Sequence, residues 1–182
     1  MKILICLLVL LTPALAGAAS PSPYAGQETR QIKALSADER ENLLAGRGMG
    51  FAMAAELNGY PGPVHVLELS RELGLNADQR SKSDTLFKSM ERRAKNFGRQ
   101  LVDAEQALDG LFASKKITPV LLTEALTRIG ELQARVRAAH LEAHLEQTRI
   151  LTPEQVALYI KLRGYGAAGG APAGAHGGAH KH

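Results

Sequence analysis

Residues 139–155, AHLEAHLEQTRILTPEQ, decide how this chain folds. His140 and His144 stand one helical turn apart. After them Leu151-Thr152-Pro153-Glu154-Gln155 stops one helix and starts the next. Thr152 is an N-cap, Pro153 takes the first helical position, and Gln155 sits where a capping box needs a side chain reaching back to the cap. Leu151 and Val156 supply the apolar staple around that cap. The helix so started carries Leu158 and Leu162 and ends at Gly164.

Upstream, Leu122, Ala125, Ile129, Leu132, Val136, Ala139 and Ala143 recur in steps of three and four, as in a heptad seam. Thr118-Pro119 starts that helix. Before it Leu86, Met90, Ala94, Phe97, Leu101, Ala104, Leu108 and Leu111 repeat the pattern, with a turn at Ser114-Lys115-Lys116-Ile117. Two such helices joined by a short turn predict an antiparallel hairpin. The first begins at Leu75-Asn76-Ala77-Asp78-Gln79, where Asn76 is an N-cap and Gln79 fills the capping-box position. Farther upstream Ser36 and Glu39 form another box. Met49, Met53 and Leu57 recur at helical spacing and read as packing residues, with soft-metal binding by Met49 and Met53 as the lesser alternative. Asn58-Gly59-Tyr60-Pro61-Gly62-Pro63 is a turn, and a short helix is expected over 64–73. The fold class is all-α, a long-helix hairpin with short flanking helices and no β signal.

The 182 residues begin with Met1-Lys2, an apolar run over 3–11 and an Ala14-Leu15-Ala16 exit. This predicts a secretory signal peptide over 1–16, with cleavage as late as 19. The run is too short to span a bilayer, so no stable membrane insertion is expected. The single cysteine, Cys6, leaves with the signal, and so does Lys2, which takes the formal charge from +4 to +3. Without cysteine, an exported domain must be held by helix packing alone. The remaining organisation reads as a flexible leader over 17–35, short helices and a turn over 36–63, the helical domain over 64–163, and a disordered Gly/Ala/His-rich tail over 164–182. No aromatic-basic interleaving points to nucleic acid. Nothing resembles a nucleophile–base set, a phosphate loop or a paired-carboxylate pocket, so no enzyme and no organic cofactor are expected.

The two cap motifs carry a resemblance. An exported helical protein with an LTxxQ motif before each half of its core resembles the Spy/CpxP family of periplasmic stress proteins, which includes heavy-metal-responsive relatives. Leu151, Thr152 and Gln155 match the motif in full. Leu75, Asn76 and Gln79 depart from it only by Asn for Thr, which keeps the capping chemistry. The resemblance covers residues 64–163. It implies a hairpin that dimerises into a cradle, and a role as an ATP-independent chaperone, an envelope-stress adaptor or a metal-responsive regulator. The expected partners are accordingly unfolded proteins or an envelope sensor protein, and the expected location is the periplasm. In that setting Arg92, Arg93, Arg99, Arg128 and Arg135 form a cationic client-binding surface; read from the residues alone they are equally an ordinary solvated face.

The histidine pair has its own chemistry. Imidazoles four apart on a helix leave the same face, about 6 Å apart, and chelate Zn, Ni, Cu or Co. Glu142 lies about 200° around the helix from either ring, which rejects an H-E-x-x-H protease. Leu132, Val136, His140 and His144 form one ridge, so the pair equally reads as an edge of the apolar seam or as solvated. Folding the hairpin at 114–117 places Met90 and Glu91 opposite as further ligands. His176, His180 and His182 offer loose capture of divalent metal from the tail. His65 reads as a turn or helix-start residue.

Overall fold

The computed structural model describes residues 22–165, so the expected signal peptide, residues 17–21 of the expected leader, and His176, His180 and His182 lie outside the described residues. A 3-10 turn at Gln27–Thr29 precedes six helices: α1 (Ala37–Ala45), α2 (Met53–Glu56), α3 (Pro63–Glu68), α4 (Ala77–Ala113), α5 (Pro119–Ile150) and α6 (Pro153–Leu162). The described residues contain no strand. The all-α class and the long hairpin, α4 against α5, stand as the heptad pattern predicts.

Each expected cap is present. Ser36, Asn76 and Thr152 accept from the backbone N–H three residues on, and Glu39, Gln79 and Gln155 return the bond to the cap's own N–H. Thr118 caps α5 and Pro119 opens it. What local sequence does not show is that the two glutamines of the LTxxQ-type motifs meet. Gln79 Nε2 donates to Gln155 Oε1 at 2.8 Å and Gln155 Nε2 to Gln79 Oε1 at 3.1 Å. The same amides reach Ile150 O at 3.0 Å and Leu73 O at 3.1 Å. Each glutamine therefore satisfies its own helix start and also clamps the open ends of the hairpin together, where an unpaired buried amide costs about 1–3 kcal/mol.

Two apolar cores lie along the hairpin. One joins Ile32 and Leu43 to Leu101, Val102, Ile129, Leu132 and Val136. The other joins Val66, Leu73, Leu75 and Leu151 to Tyr159. Between them the seam turns polar: Ser83, His140, His144 and Gln147 are all buried, with Gln147 Nε2 donating to Ser83 Oγ at 2.9 Å.

Several expectations change. The leader docks in its second half: Ile32 is buried in the first core and Lys33 N–H donates to Asp109 Oδ1 at 3.3 Å. One isoleucine among polar and turn-forming neighbours gives no periodicity by which to foresee this. The short helices at 36–63 lie against the hairpin, α1 on α4 and α2 on α5. The helix expected over 64–73 ends at Glu68, and Leu73 reaches the second core from the turn that follows. In α6 the buried side chain is Tyr159, while Leu158 and Leu162 are exposed.

Candidate metal centre

The segment between α1 and α3 crosses the polar layer as a strap and covers the histidine pair. His140 is 4 % and His144 7 % exposed, so the solvated alternative for the pair does not hold. Gly62 lets the strap lie directly on His144: a Cβ there would stand 2.9 Å from Cε1 and 3.0 Å from Nε2. Phe51 stacks on His140 with ring centroids 6.3 Å apart. Strap, α4 and α5 enclose a cleft of about 440 Å³, lined among others by Met49, Met53, Glu56, Met90, His140 and His144.

The nitrogens are not equivalent. His144 Nδ1 lies 2.8 Å from Tyr60 O, and a carbonyl only accepts, so Nδ1 carries the proton and the lone pair of neutral His144 sits on Nε2. His140 Nε2 is buried with no hydrogen-bond partner. Burial, and next the neighbouring His144, holds the His140 pKa below that of a free imidazole. It is a neutral base with an unfilled nitrogen, the form a transition-metal ion requires.

Glu56, in the single turn of α2, was not singled out by sequence; one carboxylate in an aperiodic stretch carries no signal. Its Oε1 accepts from Tyr159 Oη at 2.7 Å, Tyr165 Oη at 3.1 Å and Arg163 Nε at 3.2 Å. Its Oε2 is buried without a hydrogen bond, 3.7 Å from His144 Nδ1.

Met90 and Glu91 line the cleft opposite the pair, as the hairpin register requires, although Glu91 is engaged by Lys95 Nζ at 2.8 Å. Met49 and Met53, expected to pack, are 40 % and 58 % exposed at the rim, because the chain there makes turns with Met49 at φ 45°. His65 lies on α3 at the rim and its Nδ1 is 2.9 Å from Glu68 Oε2. Glu142 points away and pairs with Arg93 at 2.6 Å. Among the described residues no three His, Cys, Asp or Glu side chains already close around one point. The cleft offers lone-pair nitrogens, a free carboxylate oxygen and thioethers, a donor set that fits a borderline or soft transition-metal ion.

The arginines of the expected client surface are all exposed, and three of the five are engaged within the hairpin. Arg93 pairs with Glu142, Arg128 donates to Gln100 Oε1 at 2.8 Å, and Arg135 lies over the Phe97 ring at 5.7 Å. No described helix is long and apolar enough to cross a membrane.

Comparison with known proteins finds no match among curated proteins or solved structures. One family model matches residues 42–157, from inside α1 to the first turn of α6. The match begins ahead of residue 64, where the resemblance to Spy/CpxP proteins starts, and takes in the strap together with the hairpin. Both LTxxQ-type motifs and every residue lining the cleft lie within it, and the chain belongs to this family, the heavy-metal resistance family related to the Spy/CpxP proteins.

Proposed function

We propose that this protein is a non-enzymatic periplasmic metal-binding protein of heavy-metal resistance, holding one transition-metal ion at His140 and His144. The observation that carries the reading is the buried, unpartnered Nε2 of His140, one turn from a His144 whose own lone pair is also on Nε2. An orphaned nitrogen in so dry a place costs stability unless something fills it. Zn, Ni, Cu and Co all accept imidazole nitrogen, and the rim thioethers of Met49 and Met53 favour the softer end of that series. The family, together with the signal-peptide pattern of residues 1–16, supports export to the periplasm. Calorimetric titration with each metal tests the reading on the mature chain and on a chain ending at Tyr165. One ion per chain is expected in both, with the tail histidines adding only weaker sites. Loss of all binding on truncation would place the site in the tail and contradict the reading.

A second reading rests on a different surface. Beyond the first core, the turn end of the hairpin exposes Phe112, Val120, Leu121 and Leu126. Such a patch supports a holder of unfolded proteins or a homodimer. A purified chain that suppresses aggregation of a denatured client without ATP would support the chaperone. No suppression at several-fold molar excess would discard it.

A further inference from the structure

The carboxylate of Glu56 joins two places that sequence keeps more than a hundred residues apart. On one oxygen it gathers Tyr159, Arg163 and Tyr165, the last turn of α6 and the residues after it. The other oxygen is buried on the cleft side without a hydrogen bond, 3.7 Å from His144 Nδ1. We propose that Glu56 is a third donor to an ion held by His140 and His144, and that through it an ion in the cleft fastens α6 and the strap to the hairpin. This rests on the metal reading above and adds what binding does to the fold.

Three observations support it. A carboxylate has about four lone-pair positions, so Oε2 can ligate while Oε1 keeps its donors. Those donors fix the carboxyl as outer-shell partners fix a ligand, and Tyr159 is itself fully buried. Glu56 is also the one acidic group of α2, the element through which the strap touches α5. Oε2 and the two imidazole nitrogens do not already close around one point, so an imidazole must turn toward the fixed carboxyl within the cleft that all three residues line. Because binding energies are reciprocal, whatever the ion does for α6, α6 does for the ion.

The test uses Zn²⁺, which brings no redox chemistry of its own. Wild type, Glu56→Gln and Tyr159→Phe/Tyr165→Phe are titrated by calorimetry, and amide exchange over 153–162 is followed with and without zinc. Glu56→Gln keeps an acceptor for the tyrosines but loses the charged donor. Its affinity is expected to fall at least about 10-fold, and zinc should no longer slow exchange in α6. The tyrosine pair touches no ion, yet should weaken binding about 3- to 10-fold by freeing the carboxyl. Wild-type affinity in Glu56→Gln, or α6 exchange that zinc leaves unchanged in the wild type, would overturn the proposal. If His140→Ala/His144→Ala binds zinc as the wild type does, the metal reading itself fails and this inference with it.

Discussion

Gly98→Ala lowers the melting temperature of this protein, against the direction that helix propensity alone sets. Gly98 lies within the 37-residue α4, where alanine is favoured over glycine by about 1 kcal/mol. Here, however, α1 crosses α4 at that position. An added Cβ would stand 2.2 Å from Leu43 O and 2.8 Å from Leu43 C. Backbone cannot rotate aside as a side chain does, so α1 must move bodily, taking buried Leu43 out of the first core. Overpacking of this kind costs typically 1–3 kcal/mol. With the contact so short the upper end applies, and after the propensity gain a net loss of about 2 kcal/mol is expected. For a chain of this size that lowers Tm by about 4–8 °C. Gly110→Ala and Gly130→Ala are matched controls, because nothing lies within 4 Å of either new Cβ. Both should leave Tm unchanged or raise it. A Gly98→Ala protein as stable as these controls would mean that α1 does not pack on α4 at this point.

The same crossing bears on the candidate metal centre, since the strap leaves α1 immediately after Ala45. Gly46 ends α1 in the left-handed region at φ 69°, with Glu91 O and Lys95 N each 3.2 Å from a would-be Cβ. The chain is thus pressed against α4 before it turns over the histidines. Stability of the first core and closure of the cleft are linked through this short connection.

How far the sequence revealed this arrangement follows from which features are local. Capping boxes involve residues three apart, and all three were legible. The heptad seam is also local, and with a short turn it fixes the register that sets Met90 and Glu91 opposite the histidines. The meeting of Gln79 with Gln155 is not local. Each glutamine reads as a cap residue, and only the closed hairpin brings their amides together. The burial of His140 and His144 was undecided for a related reason. They continue the ridge of Leu132 and Val136, but whether that ridge is wet depends on a strap whose Met49–Met53–Leu57 spacing is realised only in the single turn of α2. Gly46, Gly48, Gly50, Gly59 and Gly62 loosen every local pattern there, so Glu56, the strap residue nearest the histidines in chemistry, stayed unmarked. Tyr159 carries no local signal, because Leu158 and Leu162 set the apparent apolar face of α6. Its phenol, buried and hydrogen-bonded to Glu56, has its pKa raised first by burial and then by that carboxylate, so it remains a donor.

With the buried imidazoles proposed as the metal site, removing them has the largest expected effect on binding. His140→Ala/His144→Ala deletes both lone-pair nitrogens and leaves the cleft with Glu56, Glu91, His65 and thioethers as its remaining donors. Changing even an outer-shell partner costs about 10- to 100-fold in metal affinity, so losing two ligands should cost at least about 100-fold. Stability should respond differently. The His144 bond to Tyr60 O is lost, worth about 1 kcal/mol, while a desolvated nitrogen without a partner is also removed at position 140. The metal-free variant should therefore stay folded, which circular dichroism checks. The decisive measurement is a calorimetric titration of chains ending at Tyr165, wild type beside His140→Ala/His144→Ala. A single site in the first and none at comparable concentration in the second is the predicted result. Equal affinity in both would contradict a metal centre at these histidines.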